Sequence, residues 1–169
     1  MMPSAYFEEF FLEASAKTYA GGLKEKTTIQ ELPGSKVLKY QRGDLLYVDT
    51  YFTNGEYSGG NTLICRDEKP VWLMSYQGWC QGDNKTVLDF LKQALSAAYA
   101  TSQFIGGRGP KEFWEKKGAE EGLVYKNDPD LSSDFCYFGG REHIFCWPDR
   151  YRRLFWHRYQ GQLLLPYLR

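Results

Sequence analysis

The sequence predicts an α+β domain, a twisted and mainly antiparallel sheet of about six to eight strands with two main helices. Three observations carry this. Aromatic residues make up 17% of the 169-residue chain, with 13 Tyr, 11 Phe and 5 Trp, and large rings suit half-buried sheet surfaces. From Leu46 to Phe52 the apolar and polar residues alternate with the period of two that a strand requires. Two other stretches repeat their apolar residues at helical spacing instead.

Helix one is expected from about Ser4 to Tyr19: Ser4 can cap it, Glu8 and Glu9 suit its positive end, and Phe7, Phe10, Phe11 and Ala14 share one face. Gly21-Gly22 stops it. Lys24 to Arg42 is polar and turn-rich around Pro33-Gly34-Ser35, with a short strand at Val37 to Tyr40. After the alternating strand that begins near Asp44, Asn54-Gly55 marks a turn, and Thr62 to Cys65 and Val71 to Gln77 read as further strands. Helix two starts at a capping-box-like pair, Thr86 and Asp89, places Leu88, Leu91, Leu95 and Ala98 on one face, and ends near Ala100. Gly106-Gly107-Arg108-Gly109-Pro110 reads as a crossover whose glycines permit positive φ, followed by a helical turn around Phe113 and Trp114. Strands resume at Leu123 to Tyr125, Phe135 to Phe138, Glu142 to Trp147 and Leu154 to Gln162.

Composition excludes several classes. The 21 basic and 21 acidic residues cancel, which argues against a highly basic nucleic-acid binder, and 43% apolar with 25% charged residues are globular values. No run approaches the ~18 apolar residues of a membrane helix. No export signal is visible at the N-terminus, and Cys65, Cys80, Cys136 and Cys146 form no C-x-x-C pair. Reduced thiols in a cytoplasmic protein of one domain, residues 1–169, are expected.

Two stretches repeat. Tyr57-Ser58-Gly59-Gly60-Asn61-Thr62-Leu63-Ile64 matches Tyr137-Phe138-Gly139-Gly140-Arg141-Glu142-His143-Ile144 at the Tyr, both Gly and the Ile. Val71-Trp72-Leu73-Met74-Ser75-Tyr76-Gln77-Gly78 parallels Leu154-Phe155-Trp156-His157-Arg158-Tyr159-Gln160-Gly161. The implied plan is a helix followed by three strands, used twice over residues about 4–80 and 84–164, with the two apolar sheet faces sharing one core.

Leu32-Pro33-Gly34-Ser35, Tyr40, Leu46-Tyr47-Val48-Asp49-Thr50-Tyr51-Phe52, Pro70-Val71-Trp72, Met74, Tyr76, Gly78, Arg108-Gly109-Pro110 and Tyr159-Gln160-Gly161 lie along nearly the whole chain. In their order and spacing the chain resembles a bacterial domain family of unknown function. Its members stand alone or lie C-terminal to the Cro-type helix-turn-helix of predicted transcription regulators. The resemblance implies no activity, cofactor or catalytic residue.

Tyr47, Asp49 and Tyr51 share one strand face, as do Trp72, Met74 and Tyr76, and Phe155, His157 and Tyr159. Converging, these faces make either the core beneath the helices or an aromatic-walled pocket for a small organic ligand, lined by Tyr47, Asp49, Tyr51, Trp72, Tyr76, His157 and Tyr159. The expected function is therefore a non-catalytic ligand-binding or sensing domain. The alternatives are a protein or nucleic-acid interaction module, with a homodimer among its forms, and an unrecognised hydrolase or metal enzyme using His143, His157, Cys136 or Cys146. Glu142 and His143 are adjacent and so face opposite ways on a strand. No G-x-S-x-G, H-E-x-x-H or phosphate-loop motif is present, and no metal ligand or cofactor is assigned. Gly106 to Pro110 follows a helix instead of opening one, which disfavours a phosphate cradle for Arg108 as counter-ion. Arg150, Arg152, Arg153 and Arg158, interleaved with Trp147, Tyr151 and Trp156, are the nucleic-acid candidates, although charges in a hairpin turn also serve solvation.

Overall fold

Phe7, Phe10, Phe11 and Ala14 fall on one side of a helical turn pattern, and in the computed structural model this stripe forms α1 (Ser4–Lys17), with each of the four at most 1% exposed. The structure describes residues 4–21, 26–101, 103–117, 121–149 and 152–165. Burying each of these phenylalanines contributes roughly 1.5–3 kcal/mol, which fixes the helix by its apolar face more than by intrinsic propensity. The turn after α1 closes at Gly21, where a Cβ would stand 2.2 Å from the Ala16 carbonyl oxygen. Gly22 lies outside the described residues.

The strands are β1 (Thr27–Ile29), β2 (Leu32–Arg42), β3 (Leu45–Asn54), β4 (Tyr57–Arg66), β5 (Lys69–Cys80), β6 (Glu112–Lys117), β7 (Glu121–Pro129), β8 (Tyr137–Trp147) and β9 (Arg153–Leu163), with α2 (Lys85–Ala100) between β5 and β6. Among the described residues they form one open antiparallel sheet in the order β1-β2-β3-β4-β5-β9-β8-β7-β6. The chain is α+β, with nine strands among the described residues where six to eight were expected.

Two of the differences have local causes. The short β1 pairs with β2, which extends well beyond Val37–Tyr40 on either side. The expected helical turn at Phe113 and Trp114 is the edge strand β6 instead: Phe113 packs on Phe90 of α2 at 5.6 Å while Trp114 packs on Trp147 at 5.6 Å. Adjacent residues thus meet different elements, as strand alternation requires. Helix α2 is capped by Asn84 and not by Thr86, since Asn84 Oδ1 accepts from the Thr86 and Val87 N–H groups at 2.9 and 3.4 Å. Asp89 instead meets Lys85 and Lys92 on the exposed side.

Both helices cover one sheet face. Phe11 of α1 contacts Trp72 at 4.9 Å and Tyr99 of α2 at 6.2 Å, and Trp72 stacks on Phe135 and Phe138 at 5.1 and 5.5 Å. The other face, carrying Leu46, Leu73, Gln77, Trp79, Trp156 and Gln160, has no helix over it among the described residues. Each stretch of the sequence repeat falls within a long strand, β4 and β8 for the first, β5 and β9 for the second. Among the described residues five strands follow α1 and four follow α2, where three each were expected. No helix among the described residues is long and apolar enough to cross a membrane.

Candidate ligand-binding site

Strand alternation turns Tyr47, Asp49 and Tyr51 of β3 toward the helices, beside Tyr76 of β5 and His157 and Tyr159 of β9. Between this surface and α2 lies a cavity of about 210 Å³. Its floor is Tyr51, Tyr76, Phe155 and His157 of the sheet, Leu91 of α2, and Arg108 from the crossover. Lys26, Lys36, Glu56, Asp83 and Lys92 stand around its mouth.

The crossover delivers Arg108 into the interior. Gly106, Gly107, Arg108 and Gly109 are all buried. Gly106 has φ +68°, as the sequence suggested, whereas Gly107 and Gly109 serve close approach: a Cβ at each would stand 2.3 Å from Tyr159 Oη and 2.1 Å from Tyr125 Oη, respectively. The Arg108 guanidinium donates from Nε to Glu142 Oε1 at 2.7 Å and from Nη2 to Glu142 Oε2 at 3.3 Å, and it lies over the Tyr76 ring at 4.6 Å. Tyr125 Oη also donates to Glu142, at 3.2 Å. The buried charge is therefore paired, the condition under which interior ions are tolerated.

Arg108 Nη2 also lies 3.2 Å from His157 Nδ1. A guanidinium has no acceptor, so Nδ1 accepts and the neutral ring carries its proton on Nε2, which donates to Ser58 Oγ at 3.0 Å. Burial first, and the Arg108 charge second, hold His157 well below the ordinary imidazole range. Asp49 Oδ1 accepts from Tyr76 Oη at 2.8 Å and from Thr62 Oγ1 at 3.0 Å, and burial raises its carboxyl above the ordinary value despite those bonds. Burial also pushes the Tyr19 hydroxyl at the mouth up to about 12.

A family of domains of unknown function, DUF5680, matches residues 49–163, well over half of the chain. The chain belongs to DUF5680. No curated protein and no solved structure is significantly similar to it. The DUF5680 match runs from Asp49 in β3 to Leu163 at the end of β9, so it includes every floor residue of the cavity.

Of the seven sequence-derived lining residues of this DUF5680 chain, Tyr51, Tyr76 and His157 line the cavity. Asp49 sits behind Tyr76 as its hydrogen-bond acceptor. Tyr47, Trp72 and Tyr159 are core, 3%, 0% and 1% exposed, with Tyr159 Oη donating to Asn127 Oδ1 at 2.5 Å. His143 does not join His157. It pairs across the ladder with Trp156, so it faces the other side of the sheet, where its Nε2 lies 3.4 Å from Asp128. Among the described residues no group of three His, Cys, Asp or Glu could hold a metal. Arg152 and Arg153 are exposed at the β8–β9 turn, Arg158 lies 3.8 Å from Asp130, and Arg150 and Tyr151 fall outside the described residues.

Ser58, Asn127 and the Arg108–Glu142 pairing were not singled out as site features. One signal was available: Tyr-x-Asp at Tyr47–Asp49 and Tyr-x-Asn at Tyr125–Asn127 precede the two repeated segments. In the sheet Tyr47 pairs with Ile64 as Tyr125 pairs with Ile144.

Proposed function

We propose that the protein is a non-catalytic domain that binds or senses a small ligand in the cavity between α2 and strands β3, β4, β5 and β9. The observation that carries this reading is a buried arginine, a tautomer-locked histidine and three tyrosine and phenylalanine rings around an internal space, an arrangement costly to build for packing alone. Two larger hollows, about 520 and 590 Å³, lie on the open sheet face, yet neither is lined by a buried carboxylate, imidazole or guanidinium. A sensing role also accords with the resemblance to bacterial domains carried behind a Cro-type helix-turn-helix.

An origin by duplication is part of the proposal, and the ladder supports it. Tyr76 lies opposite Tyr159, its counterpart in the sequence repeat, and Gly60 and Gly140 lie opposite those two tyrosines in turn. Tyr76 bonds Asp49 as Tyr159 bonds Asn127. The halves differ where it matters for binding: the crossover covers Tyr125 and Tyr159 in the second, whereas Tyr51 and Tyr76 of the first border the cavity.

A second reading, an interaction module, draws on the open face, where Phe52 is 38% and Tyr137 70% exposed. A hydrolase reading is disfavoured by the locked tautomer, because Nε2–H presents Ser58 with a donor and leaves no lone pair to take the serine proton.

Amide chemical-shift mapping with neutral fragments of about ten non-hydrogen atoms tests the site. The expected shifts concentrate at Tyr51, Ser58, Leu91 and His157 and vanish in Ser58→Phe, whose ring fills the cavity. Shifts confined to Trp79, Trp156 and Gln77, or unchanged by Ser58→Phe, would transfer the function to the open face.

A further inference from the structure

Resting on the binding reading above, we infer that the cavity takes a small organic oxyanion, its acid group held by Lys26, Lys36 and the unspent donors of the floor and its body packed against the rings. The argument is one of unmatched donors. Lys26 Nζ and Lys36 Nζ both crowd the Tyr51 ring, 5.4 and 5.6 Å from its centroid, and no described carboxylate lies within salt-bridge distance of either. Lys36 spends one proton on Thr53 Oγ1 at 2.6 Å and keeps two.

The floor adds to the surplus. Arg108 gives Nε and Nη2 to Glu142 and His157, while its Nη1 meets no acceptor among the described residues. Ser58 Oγ accepts from His157, so its own proton is free to point elsewhere. Of the acceptors nearby, Asp49 Oδ1 takes Tyr76 and Thr62, Glu142 takes Arg108 and Tyr125, and Glu56 takes the Gly82 N–H through Oε1. Glu56 and Asp83 are the acids of the mouth, set against the three lysines Lys26, Lys36 and Lys92, and Lys92 is shared with Asp89 at 3.6 Å. Donors grouped around an apolar, ring-walled space select a ligand that offers acceptors and negative charge at one end.

Size narrows the class. A cavity of 210 Å³ suits a ligand body of about ten non-hydrogen atoms. Tyr51, Tyr76, Leu91 and Phe155 give the body of the ligand apolar contact.

Isothermal titration with benzoate, phenyl phosphate, benzamide and benzylamine tests the class, since these share one ring and differ in charge. Benzoate or phenyl phosphate is expected to bind about tenfold or more tighter than benzamide, to weaken with added salt, and to lose most of that preference in Lys26→Met/Lys36→Met. The better of the two acids tells carboxylate from phosphate. Both lysines are at the mouth, so the variant should fold, which its thermal unfolding checks. Benzamide or benzylamine binding as tightly as the acids, or a preference surviving in the double variant, would overturn the inference. Failure of both acids to bind would overturn it too, whereas the site itself stands or falls by the neutral-fragment mapping.

Discussion

Replacing Arg108 with methionine isolates the cost of the charge that the crossover carries into the protein. Methionine keeps much of the aliphatic stem but removes both donors to Glu142 and the donor to His157 Nδ1. Glu142 is 0% exposed and is left with Tyr125 Oη at 3.2 Å. An interior carboxylate stripped of its cation costs about 3–5 kcal/mol. For a chain of this length each kcal/mol moves the unfolding midpoint by about 2–4 °C, so a fall of about 6–20 °C is expected. Removing both charges in Arg108→Met/Glu142→Leu should recover part of that loss, because the apolar pair has no ionic desolvation to repay while Tyr125 Oη and His157 Nδ1 each lose a partner. Equilibrium urea unfolding of wild type, both single variants and the double variant closes the cycle. The reasoning is refuted by a single variant that loses less than about 1 kcal/mol, or by a double variant no more stable than Arg108→Met.

Three further expectations follow from the site. Burial raises the Asp49 carboxyl above its ordinary 3.8, so the native fold holds that proton more tightly than the unfolded chain does. The associated stability is full below about pH 3.8 and is lost as pH rises through the raised value; Asp49→Asn, which keeps an acceptor for Tyr76 as Asn127 does for Tyr159, should be more stable than wild type at pH 7 and not at pH 3.5, as urea midpoints would record. For His157 the sign is opposite: its depressed folded value makes its contribution full above about pH 6.5 and lost as pH falls below it, and its imidazole ¹⁵N shifts should report a neutral, Nε2-protonated ring throughout the neutral range. Asn84→Ala should cost about 0.5–2 kcal/mol in chemical unfolding by freeing the Thr86 and Val87 N–H groups at the start of α2.

The long strands and both helices were legible because their burial is periodic along the chain: Tyr47, Asp49 and Tyr51 read as one face from spacing alone. Edges were harder. In β6 the pair Phe113-Trp114 is too short a pattern to tell strand from helix, and only its ladder to β7 decides. Pro33-Gly34 hid the start of β2, since turn-forming residues sit inside that strand and Gly34 has φ +81°. The site was half legible. Alternation put Tyr51, Tyr76 and His157 on faces that meet, but it could not separate them from Trp72, which Phe11 and Phe135 cover, or from Tyr159, which Phe138 and the Gly107 crossover cover. The Arg108–Glu142 pair was invisible because it joins a glycine-rich connection to a distant strand, a contact no local spacing encodes.

In the sheet, the strands before the Gln81–Asp83 turn join those after it by backbone pairing at one ladder, β5 against β9. An engineer wishing to divide this protein into two pieces for a reassembly reporter would open the chain there. Signal would then require β5 and β9 to find each other, with Tyr76 abreast of Tyr159, and a cavity whose walls come from both pieces would exist only in the rejoined pair.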